Sequence, residues 1–107
     1  MLYVRISLIT PKPKCEQQVA AIVDDLISYY AKQPGYVSGF KLRSTADRLQ
    51  LGRVTAWRSN EDADAAAQSA HVLARRSELL LLIEDEYDGT YDAAEAAESL
   101  AALVQES

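Results

Sequence analysis

The chain has 107 residues, 49% of them hydrophobic and 25% charged, so we expect one packed domain and no second catalytic domain. The formal net charge is −5 and the basic residues are dispersed, which argues against nucleic acid as a partner because phosphate binding needs clustered lysine and arginine. One cysteine excludes an internal disulfide, and the longest apolar run, residues 79–83, is too short to cross a membrane, so we expect a cytoplasmic protein without a signal peptide.

The first two predicted elements are a strand and a helix. Residues 2–9 alternate between apolar and polar side chains, which is the period of a strand. Residues 15–32 repeat apolar side chains at three- and four-residue steps, which is typical of a helix with one buried side, and Pro34-Gly35 ends it. We expect the even-numbered residues of the strand to face the helices: Leu2, Val4, Ile6 and Leu8.

A β-hairpin and a second helix follow. Residues 36–43 and 49–57 are rich in aromatic and branched side chains and are separated by a polar turn, which predicts two antiparallel strands. Ser59 then caps a helix that continues into the 79–83 run. One side of that helix carries small residues and should pack closely: Ala63, Ala66, Ala67, Ala70 and Ala74.

The end of the chain is strongly acidic. Residues 84–107 hold eight acids and no base. Residues 84–91 predict a weak fourth strand at a sheet edge, because acids and glycine are poor strand formers. Asp92 to Glu95 has the pattern of a capping box and predicts a helical extension over residues 92–107, beyond a domain of residues 1–91.

The order βαββαβ predicts an α+β, ferredoxin-like fold, with a four-stranded antiparallel sheet of order 4-1-3-2 and both helices on one face. The other face carries apolar side chains, so we expect a homodimer that is closed through the sheet faces. We also expect strands one and three to be parallel neighbours. That pairing would gather polar and amphipathic side chains on one face: Tyr3, Arg5, Ser7, Arg53, Thr55 and Trp57.

Two short motifs resemble a known family. Trp57-Arg58-Ser59 ends the third strand, and Ser69-Ala70-His71 follows, with His71 fourteen residues after the tryptophan. This is similar to the antibiotic biosynthesis monooxygenases and their quinol-monooxygenase-like relatives, which have Trp-x-Ser and Ser/Thr-Pro-His at this spacing; Ala70 replaces the proline. The opening Met-Leu-x-Val and Pro34-Gly35 are also similar. The resemblance covers about residues 1–91 and implies a dimeric α/β barrel.

The resemblance implies a cofactor-independent monooxygenase acting on a small aromatic or quinol-type molecule, with no metal and no other cofactor. A phenol or hydroquinone is deprotonated and its anion donates electrons directly to O₂, so the site needs a base and donors that stabilise the anion. His71 is the candidate base, because histidine is the residue type whose unperturbed pKa lies near neutrality, and Trp57 is the second candidate catalytic residue. The candidate substrate-binding residues are Arg5, Arg53, Tyr30 and Thr55.

Several alternatives stay open. The haem-degrading branch of the family has its haem-ligating histidine ten residues after the tryptophan, where this chain has Ala67, which argues against haem. Trp57 can serve packing alone, His71 can hydrogen-bond the sheet or a partner chain, and the arginines can pair with acids across a dimer. The alternative function is a non-catalytic dimeric small-molecule-binding or assembly module, which a closed interior without a cavity beside Trp57 would favour.

The resemblance and the alternation of strand one disagree about the sheet face. The family places its tryptophan toward the pocket under the helices, whereas alternation places the residues that share its face on the opposite side. A one-residue bulge in either strand would reconcile the two, because it shifts every later side chain to the other face.

Overall fold

A computed structural model describes residues 2–46 and 48–93. These residues form one antiparallel sheet of order β2-β3-β1-β4, which is 4-1-3-2 read from the other edge, so the α+β, ferredoxin-like fold is confirmed. The helical extension predicted beyond Asp92 lies outside the described residues from residue 94 onward. The elements are β1 (Tyr3–Pro11), α1 (Glu16–Tyr30), β2 (Tyr36–Arg43), β3 (Leu51–Trp57), α2 (Asn60–Ala67), α3 (Ala70–Leu80) and β4 (Ile83–Asp92).

Strands β1 and β3 are antiparallel, so the prediction of parallel neighbours is wrong. The reason is topological. The crossover through α1 makes β2 run parallel to β1, and the hairpin then turns β3 back against both. The pairing runs without interruption from Tyr3 opposite Trp57 to Ile9 opposite Leu51, and no bulge divides it.

The odd-numbered residues of β1 face the helices. Ile9 is fully buried and packs in one core with Trp57 and with Leu26 of α1. The expectation that Leu2, Val4, Ile6 and Leu8 lie under the helices is therefore wrong; these side chains are half-buried and belong to the opposite face. The prediction from alternation failed because the more apolar side of β1 is not the side under the helices. The side under the helices includes two polar residues, Arg5 and Ser7, which line a cavity.

The predicted second helix is two helices. Ser69 has an extended backbone and its hydroxyl accepts a hydrogen bond from the Val72 amide at 3.4 Å, so it caps α3 after α2 has ended. Ser59 caps α2 in the same way, accepting from the Asp62 amide at 3.1 Å, as predicted. The break rotates the later alanines: Ala63 and Ala66 are buried, whereas Ala70 and Ala74 are exposed.

The turn between α1 and β2 depends on a glycine. Gly35 has φ +83°, a conformation that side chains disfavour, and a Cβ there would overlap the Asp62 side chain at the start of α2. The Gly35 carbonyl accepts a hydrogen bond from the Arg58 amide at 2.8 Å. This turn therefore fixes the end of α1 beside the end of β3.

The sheet face opposite the helices, which we call the open face, is apolar. Phe40 is 56% exposed and Tyr87 is 49% exposed. By the strand register the open face also includes Val4, Ile6, Leu8, Leu42, Val54 and Tyr91.

No helix in the part of the chain that the structure describes is long and apolar enough to span a membrane.

Candidate functional site

A cavity of about 230 Å³ lies between the sheet and the helices α2 and α3. We call it the sheet cavity. It touches Trp57, so the closed interior that would favour an assembly module is not observed. Its walls come from β1, β3, β4, the end of α1 and the facing sides of α2 and α3: Arg5, Ile6, Ser7, Tyr30, Arg53, Thr55, Trp57, Ala63, Ala67, Leu73, Arg76, Asp88, Gly89 and Thr90.

The strand register gathers the polar residues of the cavity. Arg5 lies opposite Thr55 and Ser7 lies opposite Arg53, so four polar side chains form a compact patch on the helix side of two neighbouring strands. The predicted cluster is thus real, although the strands are antiparallel. The antiparallel register changes which residues of β1 and β3 lie opposite each other, but the same polar residues still lie on one face of the sheet.

Trp57 forms the closed end of the patch. Its side chain is 1% exposed and stands edge-on to two tyrosine rings, Tyr30 at 5.7 Å and Tyr36 at 5.6 Å between ring centres. Its Nε1 donates a hydrogen bond to Thr55 Oγ1 at 2.9 Å. The indole N–H is therefore already used inside the protein, and the ring is what Trp57 presents to the cavity.

Arg53 is a buried cation whose hydrogen bonds are incomplete. The residue is 7% exposed, and its Nη1 is buried without a hydrogen-bond partner among the described residues. Its guanidinium carbon lies 5.3 Å from the centre of the Tyr30 ring, a cation–π contact. Ser7 is 3% exposed and its hydroxyl is likewise unpartnered. Two unused polar groups thus lie side by side on the sheet.

Arg5 is anchored at one end only. Its Nη2 donates to Asp64 Oδ1 of α2 at 2.7 Å, while its Nε is buried without a partner among the described residues. The ion pair with Asp64 is partly exposed, so it holds the side chain in place more than it stabilises the fold. Arg5 therefore has an unpartnered donor and lines the same cavity as Arg53.

Strand β4 and helix α3 supply residues that the sequence analysis missed. Arg76 donates to Glu86 at 2.9 Å and lies 3.8 Å from Asp88. Burial and the adjacent carboxylate of Asp88 raise the pKa of Glu86, against the lowering effect of Arg76. Antiparallel pairing of β4 with β1 would have found two of the missed positions, since Asp88 lies opposite Ser7 and Thr90 opposite Arg5.

His71 lies apart from the sheet cavity. It is exposed on α3, stacks on the Tyr29 ring at 4.5 Å and shares a hydrogen bond of 2.6 Å with Asp25 of α1. Arg75 donates to the same carboxylate at 3.0 Å. Burial raises the pKa of Asp25, but the hydrogen bond to His71 and the positive charges of His71 and Arg75 outweigh it, so the pKa of Asp25 lies below its ordinary value.

Five of the six predicted site residues therefore share one cavity and one does not. Arg5, Arg53, Tyr30, Thr55 and Trp57 line it, whereas His71 is not among the lining residues. Within the described residues no group of three or more His, Cys, Asp or Glu side chains is arranged to hold a metal ion.

Comparison with known proteins identifies the family. The family model described as antibiotic biosynthesis monooxygenase matches residues 1–77, which is more than two thirds of the chain. The chain belongs to the antibiotic biosynthesis monooxygenase family. The matched residues include β1, α1, the hairpin, α2 and most of α3, and so all of the cavity wall except the part from β4.

Solved structures share the fold of this antibiotic biosynthesis monooxygenase domain at low identity. Rv0793 from Mycobacterium tuberculosis is 22% identical, with 86% of this chain and 94% of that chain covered at a TM-score of 0.78. A protein from Nitrosomonas europaea assigned to the same family is 20% identical, with 88% and 91% covered and a TM-score of 0.80. SnoaB, a cofactor-independent oxygenase from Streptomyces nogalater, is 16% identical, with 88% and 94% covered and a TM-score of 0.77.

At these identities the structures establish the fold alone. No curated protein sequence matches the chain significantly. The activity of this antibiotic biosynthesis monooxygenase family member must therefore be argued from its own cavity.

Proposed function

We propose that the protein is a cofactor-independent monooxygenase-like enzyme that acts on a small aromatic or quinol-type molecule in the sheet cavity. The observation that carries the proposal is the pairing of aromatic walls, Trp57 and Tyr30, with unused donors of Arg5 and Arg53 in one cavity of a family member. At about 230 Å³ the cavity is smaller than sites for drug-sized ligands, about 300–1,000 Å³, so it suits one or two fused rings.

The proposed chemistry needs only the substrate and O₂. A phenol such as 1-naphthol loses its proton, and the anion passes one electron to O₂ to give a phenoxyl radical and superoxide. The two combine at a ring carbon, and the resulting hydroperoxide loses water to leave a quinone. One oxygen atom enters the product and the other leaves in water, so no external reductant takes part.

The arginines are proposed to favour the ionised substrate. Guanidinium groups stay charged at all relevant pH values, and fixed donors stabilise developing anions strongly in sites that exclude water. Asp88 is the one carboxylate among the described lining residues, so we propose that it accepts the phenolic proton at the cavity mouth. The similarity in fold to SnoaB, described as a cofactor-independent oxygenase, supports a reaction of this class.

We also propose that two copies pack through their open faces, in the cytoplasm. The open face exposes Phe40, Tyr87 and Tyr91, and contiguous apolar surface of this kind marks an association site. A second copy covers it with a matching surface about a two-fold axis. The single cysteine supports the reducing compartment.

The test is turnover of 1-naphthol followed in an oxygen electrode and with ¹⁸O₂. Purified protein should consume one O₂ per naphthoquinone formed, and mass spectrometry should find one labelled oxygen atom in the product. Arg5→Gln should lower the rate at least about tenfold, because removal of an anion-stabilising donor has effects of this size or larger. Arg43→Gln is the matched control, since Arg43 is exposed on β2 and does not line the cavity.

Equal rates for Arg5→Gln and Arg43→Gln would refute the site. Complete absence of oxygen uptake with 1-naphthol, 1,4-dihydroxynaphthalene and catechol would favour the second candidate, a non-catalytic dimeric small-molecule-binding module. One observation favours that candidate specifically: the Trp57 N–H is already bonded to Thr55, so it is not available to a reacting oxygen.

A further inference from the structure

The Arg53 guanidinium is the most unusual group in the sheet cavity. It is charged under all physiological conditions, it is 7% exposed, and it forms no ion pair among the described residues. A buried charge without a counter-charge destabilises a fold strongly. The Tyr30 ring at 5.3 Å offsets this only in part. Asp88 also lines the cavity, but no described carboxylate lies within ion-pair distance of Arg53, so this cation is available to a negatively charged ligand.

The neighbouring groups define the geometry of that charge. Ser7 lies directly opposite Arg53 in the strand register; the residue is 3% exposed, and its hydroxyl is buried without a partner among the described residues. A carboxylate has two oxygens, so one can accept from the Arg53 guanidinium while the other accepts from the Ser7 hydroxyl. Arg53 Nη1 and Ser7 Oγ are both buried in the ligand-free protein, so binding requires these side chains to turn toward the cavity. A neutral phenol offers one oxygen and no charge until it ionises, so it leaves the cation uncompensated during binding.

From these contacts we infer that the substrate is an aromatic carboxylate, whose acid group binds between Arg53 and Ser7 while its ring lies against Trp57 and Tyr30. The inference rests on the proposed function, because it treats the sheet cavity as the substrate site. It also divides the work of the two arginines. Arg53 holds the permanent charge of the substrate, and Arg5, whose Nε is unpartnered, remains for the oxygen that ionises during the reaction.

The test measures binding without turnover. The probes are 2-naphthoate, which is not a phenol and is not oxidised by this chemistry, and its methyl ester, which has the same ring and no charge. Titrations of the full chain under nitrogen use calorimetry, with emission of the single tryptophan, Trp57, as a second readout. The acid should bind at least about tenfold more tightly than the ester, because a charge-assisted hydrogen bond stabilises only the acid.

Variants locate the effect. Arg53→Met should reduce the affinity for 2-naphthoate at least tenfold and change that for the ester less than twofold, whereas Arg43→Met should change neither. Ser7→Ala should weaken acid binding by a smaller factor. If Arg53→Met does not fold, Arg53→Gln replaces it, since it keeps polar volume and removes only the charge. Circular dichroism of each variant establishes that the fold is retained.

Three results would overturn the inference. The starting protein could bind the acid and the ester with equal affinity, Arg53→Met could lose binding of both probes together, or Arg53→Met could keep the same preference for the acid. The proposed function fails separately. Binding of 2-naphthoate with no turnover of 1-naphthol or 1-hydroxy-2-naphthoate leaves the carboxylate site intact and removes the oxygenase. Turnover of 1-naphthol without any preference for 1-hydroxy-2-naphthoate in kcat/KM supports the oxygenase and removes the carboxylate site.

Discussion

The guanidinium of Arg53 lies over the ring of Tyr30, with 5.3 Å between its central carbon and the ring centre. This contact joins β3 to the last residue of α1 at the floor of the sheet cavity. Tyr30 in turn stands edge-on to Trp57. The cation, the phenol ring and the indole therefore form one packed unit, and changes to any of them test the cavity directly.

Arg53→Met should leave the ligand-free protein as stable as before or more stable. The substitution removes a buried charge without a partner, and replacing buried ionic groups by apolar side chains of similar volume is commonly neutral or stabilising, so we expect a gain of zero to about 2 kcal/mol. Urea unfolding at pH 7 measures it, with Arg43→Met as the exposed control. A loss of more than about 2 kcal/mol would mean that the folded protein already neutralises Arg53.

Thr55→Val should destabilise the protein by about 1–3 kcal/mol, because it leaves the buried Trp57 N–H without an acceptor. Thr55→Ser is the matched control. It keeps the accepting oxygen and removes only a methyl group, which contributes about 0.8 kcal/mol. Chemical denaturation followed by Trp57 emission compares the two variants. If Thr55→Val has a higher free energy of unfolding than Thr55→Ser, the Trp57–Thr55 hydrogen bond does not stabilise the protein.

His71→Ala should keep the rate of oxygen uptake within about threefold of the starting protein, whereas loss of a general base lowers rates by about 100-fold or more. The reason is its position: His71 stacks on Tyr29 and bonds Asp25 outside the sheet cavity. Initial rates with 1-naphthol at saturating O₂ provide the measurement. A 100-fold fall with an unchanged melting temperature would restore His71 as the base that the sequence suggested.

Asp25→Asn should lower the melting temperature at neutral pH and should have no effect in strong acid. The folded protein lowers the pKa of the Asp25 carboxyl through His71 and Arg75, so its stabilisation is present above the ordinary carboxyl pKa of about 4 and is lost as the pH falls through the lowered value. The pair is partly exposed, so the effect should not exceed about 1 kcal/mol.

Thermal unfolding between pH 2 and pH 8 measures this dependence. Asp24→Asn is the control, because it removes the same charge from the neighbouring position of α1, where Asp24 forms a more exposed ion pair with Lys41. A difference between Asp25→Asn and the starting protein that persists in strong acid would show that the asparagine disturbs packing and that the charge is not responsible.

Phe40→Asp should weaken self-association by at least about 100-fold, since a buried charge without a partner costs several kcal/mol at an apolar interface. Phe40 lies on the edge strand β2 and is 56% exposed on the open face, opposite Val54 in the register. Sedimentation velocity at low micromolar concentration provides the measurement. Leu81→Asp is the control, because Leu81 is 74% exposed at the end of α3 and is not part of the open face. A monomer before any substitution would end the proposal of a dimer.

Much of the fold follows from the sequence because its signals are local. Residues 36–43 form β2 as predicted, and the apolar stripe that begins at Val19 and ends at Tyr30 is the buried side of α1. The break at Ser69 was missed because alanines occur on both sides of it, and alanine does not indicate which side of a helix is buried. The capping hydroxyl of Ser69 was the available signal.

The site was predicted less evenly than the fold. Hydrophobic alternation in β1 indicates the side that is most apolar, but the most apolar side of this strand is the open face. The side under the helices mixes Ile9 with Arg5 and Ser7, since it has to line a polar cavity. His71 was predicted to line the cavity but does not. Its distance in sequence from Trp57 does not determine whether its side chain faces the cavity, because that depends on the residue at which α3 begins.

The unbroken register of β1 with β3 separates two kinds of position by parity. In both strands the odd-numbered side chains meet the cavity or core, and the even-numbered ones meet the open face. Substitutions at positions 5, 7, 53 and 55 should therefore alter the proposed ligand site, whereas substitutions at positions 4, 8 and 54 should alter the proposed dimer interface. Neighbouring positions along one strand can therefore change independently, because successive side chains point to opposite faces of the sheet.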